Sequence, residues 1–82
     1  MTGLEAAKKW VASGAIAPRK TINRNFTSYW LKHVAEKEMD TYISNGELIQ
    51  AMKDAGYTAY QTMDMKYSNS PNYLFNVRLL KR

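Results

Sequence analysis

Apolar residues recur along this chain with two different periods. Leu4, Ala7, Trp10 and Val11 follow helical spacing, with Lys8 and Lys9 elsewhere on the turn, which predicts an amphipathic helix over residues 3–13. Ser13-Gly14 stops it, because glycine accepts the left-handed conformation that follows a helix C-terminus, and Pro18 blocks continuation. Residues 17–26 then show neither period and read as a basic connector, with Ile22 and Phe26 available to pin it to the core.

Thr27 or Ser28 can cap a second helix over 28–39. Trp30, Leu31, Val34, Ala35 and Met39 are expected on its inner side, and Lys32, Glu36, Lys37 and Asp40 toward water. A third helix is expected over 45–55. Ser44-Asn45-Gly46-Glu47 has the capping-box form, and Ile43 with Leu48 makes the matching hydrophobic staple. Leu48, Ile49, Met52 and Ala55 continue its apolar stripe, and Gly56 closes it.

Beyond Gly56 the period falls to two. Ala59, Gln61, Met63, Met65 and Tyr67 alternate with Thr58, Tyr60, Thr62, Asp64 and Lys66. Ser68 to Asn72 is a turn by composition, and Tyr73, Phe75, Val77 and Leu79 then alternate with Leu74, Asn76, Arg78 and Leu80. This predicts a hairpin of strands 58–67 and 73–80 packed on the helices by one face. The expected fold is a single α+β domain, three helices followed by a C-terminal β-hairpin, winged-helix-like. Helices two and three, joined through Thr41-Tyr42-Ile43, would form the helix-turn-helix and the hairpin the wing. Element order alone carries no function.

Length and composition agree with one small domain: 82 residues, 45% hydrophobic, with ten aromatics that a thin core cannot all hide. The absence of cysteine excludes disulfides and thiolate metal sites and suits a reducing compartment, so a cytoplasmic location is expected. No apolar run approaches the roughly 18 residues of a membrane span, and no secretory layout opens the chain. The net charge of +5 is unevenly spread. Lys8, Lys9, Arg19, Lys20, Arg24 and Lys32 face Glu5 alone in residues 1–33, whereas Glu36, Glu38, Asp40, Glu47, Asp54 and Asp64 outnumber Lys37 and Lys53 in residues 34–64. Lys66, Arg78, Lys81 and Arg82 then meet no acid.

Catalysis finds little to work with. His33 is the only histidine, three residues before Glu36 on a solvated side of its helix, and no Ser-His-Asp spacing, phosphate-binding loop or metal motif appears. No catalytic residue, cofactor or metal is expected, and the protein is read as non-enzymatic. Nucleic acid is a better match. Arg19, Lys20 and Arg24 in the connector, with Lys66, Arg78, Lys81 and Arg82 on or near the hairpin, can contact phosphates and release counterions. The third helix is acidic for a groove reader. Asn45 and Gln50 can read adenine edges, but the connector and wing are expected to dominate. A protein partner is the alternative. Glu36, Glu38, Asp40, Glu47 and Asp54 form an acidic strip that can face the basic channel of a defence nuclease, with aromatic anchors at Tyr29, Trp30 and Tyr42.

Thr27-Ser28-Tyr29, Leu31-Lys32-His33, Glu36, Tyr42 to Ile49, Ala51, Gly56-Tyr57 and Pro71 to Val77 together resemble a group of short, functionally unassigned proteins of bacteriophages and other mobile elements. Trp30 departs from that pattern, where a small residue, often glycine, is expected. The resemblance implies a mobile-element setting, in which small basic proteins bind DNA or inhibit host defences. The expected partner is therefore DNA or RNA. The alternative is an anti-defence inhibitor, such as an anti-CRISPR protein, bound to a host nuclease or its ribonucleoprotein. Nothing indicates an oligomer.

Overall fold

In the computed structural model, which describes residues 2–61 and 72–80, Thr2 opens the first helix with a capping box. Its hydroxyl accepts the Glu5 N–H at 3.1 Å while the Glu5 carboxylate accepts the Thr2 N–H at 3.3 Å. The helix, α1, spans Gly3–Ala12 and buries Ala6, Ala7 and Trp10. A strand, β1, follows at Ile16–Thr27. Helix α2 spans Ser28–Met39, helix α3 Asn45–Asp54, strand β2 Ala59–Gln61 and strand β3 Tyr73–Leu79. The architecture is a small α+β fold of three helices and a three-stranded antiparallel sheet in the order β1-β3-β2.

The third strand corrects the expectation for residues 17–26. They do not form a connector but an edge strand beside β3, paired through Ile16 with Leu79, Ala17 with Arg78, Pro18 with Val77, Asn23 with Phe75 and Thr27 with Leu74. Two irregularities, between Pro18 and Asn23 and between Asn23 and Thr27, destroy the alternation that would announce a strand. Pro18 is compatible with an edge position, where its missing N–H breaks no interior ladder. The helices fall where the sequence pattern places them, but Ala55, expected on the apolar stripe of α3, is its exposed C-cap. Thr27, not Ser28, caps α2 by accepting the Trp30 N–H at 3.2 Å, and the Ser28 hydroxyl instead accepts the Tyr73 N–H at 3.0 Å.

Helix α3 carries the expected capping box, with Ser44 Oγ accepting from Glu47 N at 3.1 Å and Glu47 Oε1 accepting from Ser44 N at 2.9 Å. Both staple residues, Ile43 and Leu48, are fully buried. At the other end Tyr57 N–H donates to Met52 O and Gly56 N–H to Lys53 O, with Gly56 at φ 93°, which is the Schellman arrangement.

One core joins the layers. Trp10 from α1, Leu31 from α2, Ile43, Leu48 and Met52 from the α3 region, and Phe75 and Val77 from β3 are all buried. The period-two reading of β3 agrees with this, since Phe75 and Val77 face the helices and Arg78 faces out. Residues 62–67 of the expected first hairpin strand, and the turn as far as Pro71, lie outside the described residues.

Candidate nucleic-acid interface

The register of β1 decides where its cations stand. Pro18 and Asn23 face Val77 and Phe75, so residues 19–22 bulge outward opposite the single residue between those partners. Arg19 ties this bulge to itself, donating from Nε to Thr21 O and from Nη2 to Ile22 O, each at 2.9 Å. Asn23 then anchors the strand. Its buried side chain donates to Val77 O at 2.9 Å, and its Oδ1 accepts the Asn25 N–H at 2.9 Å. Residues 24–26 form the second excursion. Lys20 and Arg24 are left exposed on the sheet edge, and Arg78 is exposed on the outer face, directly across from Ala17. Lys66, Lys81 and Arg82 lie outside the described residues.

Charge is sorted by layer. Strands β1 and β3 hold Arg19, Lys20, Arg24 and Arg78 and no acid. The helices balance Lys8, Lys9, Lys32, Lys37 and Lys53 against Glu5, Glu36, Glu38, Glu47 and Asp54. Much of that balance is made by direct contact. Glu36 accepts the Ile43 N–H and the Lys32 ammonium, each at 3.1 Å, and the His33 Nδ1 lies 3.1 Å from its Oε1. Burial alone would push its carboxyl up, but those three groups hold it below the ordinary glutamate value. Glu38 accepts the indole N–H of buried Trp10. Glu47 is committed to the α3 cap, and Asp54 meets Gln50 Nε2 at 2.8 Å and Lys8 Nζ at 3.5 Å. Asp40 is exposed and takes a left-handed conformation, φ 50°, where α2 ends. The five carboxylates of the expected acidic strip are therefore distributed over caps and contacts between helices.

Helix α3 offers little to a groove. Asn45 is buried, its amide donating to Asn72 Oδ1 at 3.3 Å, which corrects its expected exposure. Gln50 and Lys53 are exposed on one stripe, Gln50 turned to Asp54 and the Lys53 ammonium 5.1 Å from the Tyr73 ring.

Helix α2 exchanges two expected positions. Trp30 is 41% exposed, whereas Lys32 is only 7% exposed. Lys32 can be buried because Glu36 neutralises it and the rings of Tyr29 and Tyr42 lie 5.5 and 5.0 Å from its ammonium. Trp30 stacks on Phe26 with centroids 4.4 Å apart, and Tyr29 meets His33 edge to face at 4.5 Å. A cleft of about 300 Å³ opens among Thr27, Tyr29, Trp30 and His33. The sequence carries a partial signal for this surface: Trp30 and His33 stand three apart on α2, away from the Leu31 and Ala35 stripe, whereas Phe26 reaches them from the end of β1. The larger cleft, about 400 Å³, lies between the ends of α1 and α3 and Pro18, lined by apolar Val11, Ala12 and Tyr57 and crossed by the Lys8–Asp54 pair.

Fold and surface together define a small α+β domain with a basic sheet and a charge-balanced helical layer. Comparison with protein-family models, curated proteins and solved structures finds no match to this chain.

Proposed function

We propose that this protein is a non-enzymatic nucleic-acid-binding domain of winged-helix type, acting in the bacterial cytoplasm on behalf of a phage or mobile element. It grips the phosphate backbone with the β1 edge and the β2–β3 hairpin. The observation that carries the reading is the sorting of charge. Among the described residues, Arg19, Lys20, Arg24 and Arg78 share one sheet without an acid, while the helical layer is balanced. A polyanion meets unopposed charge on one side only, and counterion release supplies affinity without base readout. The winged-helix assignment is an analogy of topology: a strand between the first two helices joins the terminal hairpin in the order β1-β3-β2. Buried Asn45 and the self-paired Gln50 fit backbone binding better than sequence reading by α3. The inhibitor reading has less support, because Glu36, Glu38, Glu47 and Asp54 already accept bonds from their own chain.

The test is binding to duplex DNA, single-stranded DNA and RNA across a salt series. A steep fall of log affinity with log salt, with a slope near −0.9 per phosphate contacted on a duplex, supports the reading. Negligible binding at low salt overturns it and turns the search to protein partners.

A further inference from the structure

We propose that the aromatic face of α2 is a stacking site for an unpaired base of single-stranded nucleic acid, with the flanking phosphates on Lys20 and Arg24. The inference rests on the nucleic-acid reading above and narrows it to one strand form and one additional surface.

Trp30 is a large side chain left 41% exposed on a helix whose other faces bury Leu31 and Ala35. A ring stacked on the exposed face would remove apolar indole surface from water. The ring is also held in place. Phe26, which packs against the core from the end of β1, lies under it at 4.4 Å with 22° between the planes. A rigid, stacked pair loses little conformational freedom when a third ring joins. The adjoining cleft is walled by Tyr29, Trp30 and His33, with Thr27 at its edge and no carboxylate in its lining.

The approach is basic as well. Arg24 lies two residues before Phe26, and Lys20 stands on the preceding bulge of the same strand. Backbone following β1 toward α2 meets cations first and rings next, the combination that single-strand binders use. A duplex keeps its bases stacked on one another and cannot offer a free face. A few rings bordered by cations also suit a base and its phosphates better than a standard protein interface, with its larger and charge-depleted core.

The experiment titrates an oligothymidylate and an oligouridylate of roughly 12 nucleotides, and a duplex of equal length, into wild type, Trp30→Ala, Trp30→Phe and the Lys20→Glu/Arg24→Glu double variant. Single strands should bind more tightly than the duplex. Trp30→Ala should weaken single-strand binding by about 5- to 150-fold, leave duplex binding unchanged, and keep its helical circular dichroism. Trp30→Phe should retain most of the affinity, which guards against a folding defect in the alanine variant. Because Trp10 is fully buried, quenching of tryptophan fluorescence by a bound single strand reports Trp30, and it should disappear in Trp30→Phe. The two single strands compare a DNA with an RNA, which differ in the 2′-hydroxyl and in the 5-methyl of the base. If the double variant loses binding while Trp30→Ala binds every probe normally and no quenching occurs, the stacking site is wrong and the broader reading stands; the rings then belong to a protein partner. If wild type binds no probe, both fail.

Discussion

A Cβ on residue 3 would meet the Tyr42 carbonyl oxygen at 2.8 Å and the Glu47 carboxylate closer still. Helix propensity alone would favour alanine there by about 1 kcal/mol. Steric overlap reverses the sign, because Glu47 cannot retreat without releasing the Ser44 N–H that it caps. Gly3→Ala should therefore destabilise by about 1–2 kcal/mol, read as a lower urea midpoint with an unchanged slope. Glu36 gives a second prediction. Its carboxyl is held below the ordinary 4.5, so the folded state binds that proton more weakly than the unfolded chain. The stability it contributes is complete above the ordinary value and is lost as pH falls through the lower, folded value. Glu36→Gln should cost about 3 kcal/mol at neutral pH, since buried Lys32 loses its counter-charge. The same variant should show a shallower loss of stability in acid, measured by thermal unfolding from neutral pH to below the glutamate range.

Strand β1 is held by one side chain between two bulges. Asn23 is buried, donates to Val77 O and accepts from Asn25 N–H, so Asn23→Ala leaves both backbone groups without their partner. The expected loss is about 1–3 kcal/mol, with amide exchange accelerated in β1 ahead of the helices. The same element marks the limit of what the sequence discloses. All three helices are legible, because their caps and stripes are local: Ser44 to Glu47 announces α3, and Thr2 to Glu5 carries the same signature for α1, a signal that helical spacing over 3–13 does not use. The alternation of Tyr73 to Leu79 likewise marks β3. β1 is not legible, since an exposed run such as Arg19, Lys20 and Thr21 is what a bulge and a loop have in common. Nor can spacing alone place Trp30 and Lys32. They lie on opposite sides of α2, and which side turns inward there depends on Phe26, Tyr42 and Glu36 arriving beside them.

At the scale of the whole molecule, the run of charge along the chain, basic then acidic then basic, becomes a division between layers. The sheet draws its cations from β1 and β3, which are distant in sequence and adjacent in space, whereas Glu36, Glu38, Glu47 and Asp54 of the middle segment hold helix ends and bridge helices. Net charge alone would make every lysine an equal contributor to a polyanion's attraction. The layered arrangement makes a sharper prediction. Lys20→Glu with Arg24→Glu, and Arg78→Glu separately, should lower the magnitude of the salt slope on duplex DNA by about 1 for each phosphate that is no longer neutralised. Lys9→Glu with Lys37→Glu, exposed on α1 and α2, changes net charge by the same amount as the β1 pair. It should weaken binding only through the long-range field and leave the slope nearly intact, an effect that fades at physiological salt as the Debye length shortens to about 8 Å. Equal slopes in the two double variants would mean that the sheet is no special surface, and that affinity follows total charge. Different slopes would tie the polyanion to the two adjacent strands, β1 and β3, that carry Lys20, Arg24 and Arg78.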